Sequence, residues 1–176
     1  MHYIAKSFTD ADIPEQFVTL AFSYLEGSER LTTDLAQGEW TPSYQRGQVA
    51  MLLAIHATEL FLKACIRKAS PTTLRNVHSL GELRVEFSTY FPGIEFEPPF
   101  GTEAMPADWE LFELAIQSDR TAHEQLRYPV NRQNAAWLGV RSFVPNLFAA
   151  DLLKLRADME RVASFVFLAA TPADPA

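Results

Sequence analysis

The stretch RGQVAMLLAIHATELFLKACIRK, Arg46 to Lys68, decides the fold. Its 23 residues contain no proline and one glycine near the start, which permits a helix of about six turns. At about 100° per residue, Gln48, His56, Glu59, Lys63 and Arg67 fall in one stripe roughly 100° wide. Val49, Met51, Leu53, Ala54, Ile55, Ala57, Leu60, Phe61, Leu62, Ala64 and Ile66 fill most of the remaining circumference. A helix so apolar must be surrounded by other elements. Its polar stripe then either meets water at a seam or meets other polar groups inside, and is the first place to look for function.

Upstream, Asp12 followed by Pro14 and Glu15 is a helix opening. Phe17, Leu20, Ala21, Tyr24 and Leu25 recur at helical spacing; Gly27 and Ser28 weaken the pattern before Leu31 and Leu35 resume it. Gly38 to Pro42 reads as a turn, which places the start of the central helix near Ser43. Downstream, Ser70, Pro71 and Thr72 break that helix. HSLGEL, His78 to Leu83, opens a third: Ser79 followed by Glu82 is a capping-box pair, and Leu80, Leu83, Phe87 and Tyr90 form its apolar side.

Pro92 and Gly93 end the third helix. A Pro-rich aromatic loop runs to Met105, in which Glu95 to Glu97 is a candidate scrap of strand. A fourth helix opens at Pro106 to Asp108 with Trp109, Phe112 and Ile116 facing inward, and Pro129 stops it. Asn131 to Val144 reads as an irregular connection. The last helix is predicted from Pro145 to Leu168, where Phe148, Leu152, Leu155, Met159, Val162 and Val166 alternate four and three apart, the spacing of a packed bundle seam. Phe165 and Phe167 leave a second apolar flank, buried either in a dimer or under the chain's own core.

This is the layout of one all-α domain over residues 1–176, an up-and-down bundle of four to five helices with its core at about 14–168 and a flexible tail at 169–176. Hydrophobic residues at 48% and charged residues at 21% fit a globular chain rather than a disordered one. The formal net charge of −7 argues against sequence-blind attraction to nucleic acid or anionic membrane. His56, Glu59 and Lys63 would be costly in lipid, so the central helix reads as a bundle core and not a membrane span. The first residues lack a signal-peptide pattern and a lone Cys65 suits a reducing compartment, so the expected location is cytoplasmic. Cys65 itself reads as a packed, inert thiol.

Metal chemistry fails on spacing. A carboxylate-bridged di-metal bundle needs a Glu three residues before a His, twice, and no Glu here has a His at that offset. The four histidines, at positions 2, 56, 78 and 123, include no two that lie three to five apart. No Gly-rich phosphate loop is present, and no cofactor is expected. Two polar groups remain. His56, Glu59 and Lys63 share the central stripe, which reads either as a solvated face or as the edge of a groove. Arg120, His123, Glu124, Arg127 and Tyr128 crowd the end of the fourth helix; Arg127 is positioned to pair a buried carboxylate such as Glu59. The alternatives for this group are a structural network or an anion-binding face built from Arg120, His123 and Arg127.

ATELFLKACIRK (Ala57 to Lys68), HSLGEL (His78 to Leu83) and EQLRYP (Glu124 to Pro129), in that order, resemble the helical HEPN domain. The resemblance covers roughly residues 46–129. It implies a bundle of four or five helices, usually a homodimer, serving either as a metal-independent RNase of toxin–antitoxin and defence systems or as a non-catalytic partner of a nucleotidyltransferase. Catalytic members carry an Arg and a His separated by four to six residues in the fourth helix, at the dimer cleft. Here Arg120 and His123 are separated by two. The resemblance therefore implies a non-catalytic module that binds nucleotide, RNA or a partner protein such as an antitoxin, with His56, Glu59, Lys63, His78, Glu124, Arg127 and Tyr128 as binding residues. The alternatives are an RNase using His123 as general acid/base with Arg120 and Arg127 on the phosphate, and a purely structural subunit.

Overall fold

The first helix, α1 (Ile13–Ala36), starts where Asp12 Oδ1 accepts a hydrogen bond from the Glu15 amide at 2.8 Å, with Pro14 in its first turn. The computed structural model describes residues 11–38, 44–71, 77–96, 121, 123–137 and 143–167. Three further helices lie within them: α2 (Tyr44–Ala69), α3 (Leu80–Tyr90) and α4 (Pro145–Phe167), with a single 3₁₀ turn at Ile94–Phe96. Among the described residues there is no strand, only an isolated antiparallel bridge between Val130 and Ala136. The all-α bundle expected from the sequence is the fold observed.

α1 and α2 run antiparallel, because contacts pair the start of one with the end of the other. Lys68 reaches Asp12 at 3.5 Å, Tyr24 meets His56 edge-to-face, and Ser28 Oγ donates to the Ala50 carbonyl at 2.8 Å. The buried positions explain how close the two can come. On α1 they are Val18, Ala21, Leu25, Ser28, Thr32 and Leu35. On α2 one stripe of them is Gly47, Ala50, Ala54, Ala57, Phe61 and Ala64. Both series step by alternating threes and fours, the register of a packed helix pair. Small side chains dominate the α2 stripe, so Ser28, which interrupts the apolar pattern of α1, is the side chain that bonds across the interface. Gly27 and Ser28 thus continue the helix and the seam through to Ala36.

α2 is long and apolar enough to cross a membrane by length and composition alone, yet 61% of that window is buried inside the bundle. Phe61, Leu62, Ala64 and Cys65 are inaccessible to solvent. α3 packs on α2 through Leu80, Leu83 and Phe87, with Tyr90 left exposed, and Ser79 caps its start by accepting from the Glu82 amide. The 3₁₀ turn occupies the place where Glu95 to Glu97 suggested a strand. It carries Phe96 into a run of rings, Phe87–Phe91–Phe96–Phe165, with centroids 5.0, 5.0 and 5.7 Å apart, that ties α3 to α4.

α4 closes the bundle. Leu152, Met159, Val162 and Ala163 are buried, and Phe148, Leu155 and Val166 pack against them, as the predicted seam requires. Arg156 makes a two-pronged bond to Glu29 of α1, at 2.6 and 2.5 Å. The second flank expected at Phe165 and Phe167 meets groups of its own chain: Phe96 lies against Phe165, and Lys68 over Phe167. Trp109, Phe112 and Ile116, the opening of the predicted fourth helix, lie outside the described residues, as do the tail at 169–176 and Arg120. The helix end is described, and helical geometry stops at Gln125, before Arg127 and ahead of the predicted stop at Pro129.

Candidate functional site

The polar stripe of α2 does not face open water. Gln48 at its upper end donates to the Gln125 carbonyl at 2.9 Å, which lays the 123–137 segment along the helix. Further along, the stripe turns inward. Glu59 is only 2% exposed, the most deeply buried acidic residue in the core. Its Oε1 accepts from Lys63 Nζ at 2.7 Å, one turn on, and lies 2.9 Å from His78 Nδ1 in the residues leading into α3. Its Oε2 faces His56 Nδ1 at 3.8 Å, beyond hydrogen-bond length, so His56 acts there through its electrostatics.

His123 completes the group. Its ring stacks on that of His78, with centroids 5.7 Å apart and planes 29° from parallel. Three of the chain's four histidines, from α2, the lead into α3 and the helical residues 123–125, therefore converge on one buried carboxylate. On the far side of His56 stands Tyr24 of α1, ring centroids 4.6 Å apart in an edge-to-face contact. The Nδ1 atoms of His56 and His123 are buried and have no hydrogen-bond partner among the described residues. Unpartnered polar atoms are uncommon in a packed protein, and two in one cluster mark it as more than filler.

The electrostatics follow from this arrangement. Burial alone raises the Glu59 carboxyl, but the contacts from His56, Lys63 and His78 outweigh it and draw its pKa from 4.5 down to about 2. Glu59 is an anion at any ordinary pH. His123 is pushed below the usual imidazole range, chiefly by burial and further by His78 and Arg127, against the opposing pull of Glu124 and Glu59. It keeps a neutral ring more readily than a free histidine does. Burial pushes the Cys65 thiol far up, away from the thiolate form needed for reactivity.

The predicted pairing of Arg127 with Glu59 is corrected by this geometry. Glu59 spends its bonds on Lys63 and His78, while Arg127 is exposed beyond the last helical turn. Glu124 likewise turns outward to Arg132, a residue of the connection to which the sequence assigned no role. Tyr128 is 57% exposed and contributes its backbone carbonyl, which accepts from Trp137 Nε1 at 2.9 Å. Of the candidates, His56, Glu59, Lys63, His78 and His123 form one cluster; Glu124 lies at its edge, its Oε1 3.9 Å from His123 Nε2, and Arg127 and Tyr128 are exposed; Arg120 is outside the described residues.

The cluster offers one buried anion matched by one lysine, plus imidazoles whose charge depends on pH. When protonated they attract an anion; when neutral they accept protons. No group of three or more His, Cys, Asp or Glu side chains among the described residues is arranged to hold a metal ion. No protein-family model, curated protein or solved structure matches the chain.

Proposed function

We propose that the chain is a HEPN-like, non-catalytic binding module that takes a phosphate-bearing ligand, a nucleotide or a stretch of RNA, at the cluster around Glu59. The observation that carries this is the convergence of His56, His78 and His123 with Lys63 on one carboxylate. The three motifs behind the resemblance lie far apart in sequence, and Glu59, His78 and the His123–Arg127 segment bring them to one place. That meeting is what a shared ligand site requires, and a bundle held only by packing has no need of it. Arg127, whose charge is felt at His123, brings positive charge to the site in a protein whose overall charge is −7. Binding would then be selective, with little of the steep salt dependence of a basic protein.

Fluorescence anisotropy with labelled single-stranded RNA, and with labelled ATP, tests this reading in EDTA. Saturable binding that falls about tenfold in His123→Ala is expected. Absence of binding to both at high protein concentration would sink it. The stacked imidazoles favour one second reading, a metal-independent RNase with His123 as acid/base, because a partly buried, readily neutral histidine beside another is suited to proton transfer. RNA cleavage in EDTA that vanishes in His123→Ala would select it. A homodimer is part of both readings, and an antitoxin or a nucleotidyltransferase is the class of protein partner; a strict monomer in solution would remove any cleft shared between two copies.

A further inference from the structure

The contact between His78 and Glu59 joins a half-exposed ring to a buried carboxylate. A carboxylate held ionised can only accept hydrogen bonds, so the 2.9 Å contact with Oε1 requires the proton on Nδ1 of His78. The other ring nitrogen, Nε2, then carries its lone pair when the ring is neutral and a second proton when it is charged. The His78 side chain is 45% exposed, whereas the Glu59 side chain is 3% exposed. The buried end of the pair is thus fixed and the outer end is open to a ligand. Lys63 pins the same carboxylate oxygen from the other side at 2.7 Å, so Glu59 cannot swing away to follow solvent.

From this geometry we infer that Glu59 and His78 form a carboxylate–imidazole dyad, in which Glu59 positions the ring and His78 Nε2 donates to a phosphate oxygen of the bound ligand. The inference rests on the phosphate-binding reading and deepens it by naming the contacting atom. The group that touches ligand is His78; Glu59 is a positioning residue. His123, stacked on the same ring, forms the neighbouring wall.

The charges facing His78 define how binding responds to pH. Glu59 and Lys63 come from α2, and His123 with its neighbours Glu124 and Arg127 comes from the segment beside it. Glu59 stays ionised across the neutral range, so the anchoring end of the pair does not change. Donation from Nε2 needs the doubly protonated ring, so affinity should be higher at acidic than at alkaline pH.

The experiment uses the full chain and two probes, inorganic phosphate and a labelled single-stranded RNA, titrated between acidic and mildly alkaline pH. In His78→Asn the side-chain amide replaces Nδ1 as donor to Glu59 but leaves nothing in the place of Nε2. Affinity should drop about tenfold or more while the thermal midpoint stays near that of the parent. Nitrogen-15 spectra of the parent should show the neutral His78 ring protonated at Nδ1, and phosphate should shift its Nε2 signal. His78→Asn binding as tightly as the parent, or a neutral ring protonated at Nε2, would overturn the dyad while leaving the site itself standing. A parent protein that binds neither probe at any pH would overturn the dyad and the phosphate-binding reading together.

Discussion

Glu59 holds a charge inside a helical core, and the cost of removing that charge can be followed with pH. Its pKa in the folded chain, about 2, lies below the ordinary 4.5, so ionisation favours the folded state. The stabilisation is complete above pH ~4.5 and is lost as pH falls toward ~2, a linkage of order 3 kcal/mol at full extent. His123 acts in the same direction at higher pH: its lowered pKa makes protonation between the ordinary imidazole value and its own a further cost to folding. Urea unfolding of the parent should therefore weaken in two stages on acidification. Glu59→Gln should flatten the lower stage, leaving Lys63 and His78 without their anion and the protein less stable at pH 7 by several kcal/mol. The sequence showed Glu59 and Lys63 on one stripe, since helical spacing alone brings them together. It did not show that His78 and His123 join them, because the pairing of groups 19 and 64 residues from Glu59 depends on how α3 and the 123–137 segment dock. Guided by charge alone, Arg127 looked the better partner, and a histidine at the lead into α3 proved nearer.

Among the elements, α1 and α4 share the apolar core and are also tied by the Glu29–Arg156 pair. The bond to Glu29, above all, raises the Arg156 guanidinium pKa further, against the cost of burial. Both side chains remain partly exposed, so solvent screening keeps their worth modest. Glu29→Ala should cost about 1 kcal/mol in chemical denaturation, most at low salt, with Arg156→Ala no worse and the double variant short of the sum. The helices themselves were legible because apolar residues recur at spacings of three and four, interrupted in α1 only at Gly27 and Ser28, and because two starts are recognisable, Asp12 for α1 and Ser79 for α3. At Glu95 to Glu97 the sequence offered a packed loop or a scrap of strand, since Glu95 flanked by Ile94 and Phe96 alternates as a strand does. The backbone takes one 3₁₀ turn instead, stabilised by the Phe96 amide bonding back to Gly93 and by Arg161 reaching the Glu95 carbonyl.

At the scale of the whole molecule, the polar cluster lies where α2, the lead into α3 and the 123–137 segment meet, so binding there couples elements far apart in sequence. A ligand bridging His78 and His123 would hold that segment against α2, supplementing the Gln48–Gln125 bond. The seam between α1 and α2 has the opposite character. It is lined by glycine, alanines and a serine that bonds across, and it joins two helices adjacent in the chain. Short-range contacts of that kind assemble early and open late. Deuterium uptake should accordingly be slowest at the amides of residues 50–65, and quicker in 123–137 until phosphate or RNA is added. The tight helical hairpin would then serve as a stationary anvil against which the histidine-bearing segment can tighten or relax, confining the response to ligand to one side of the protein.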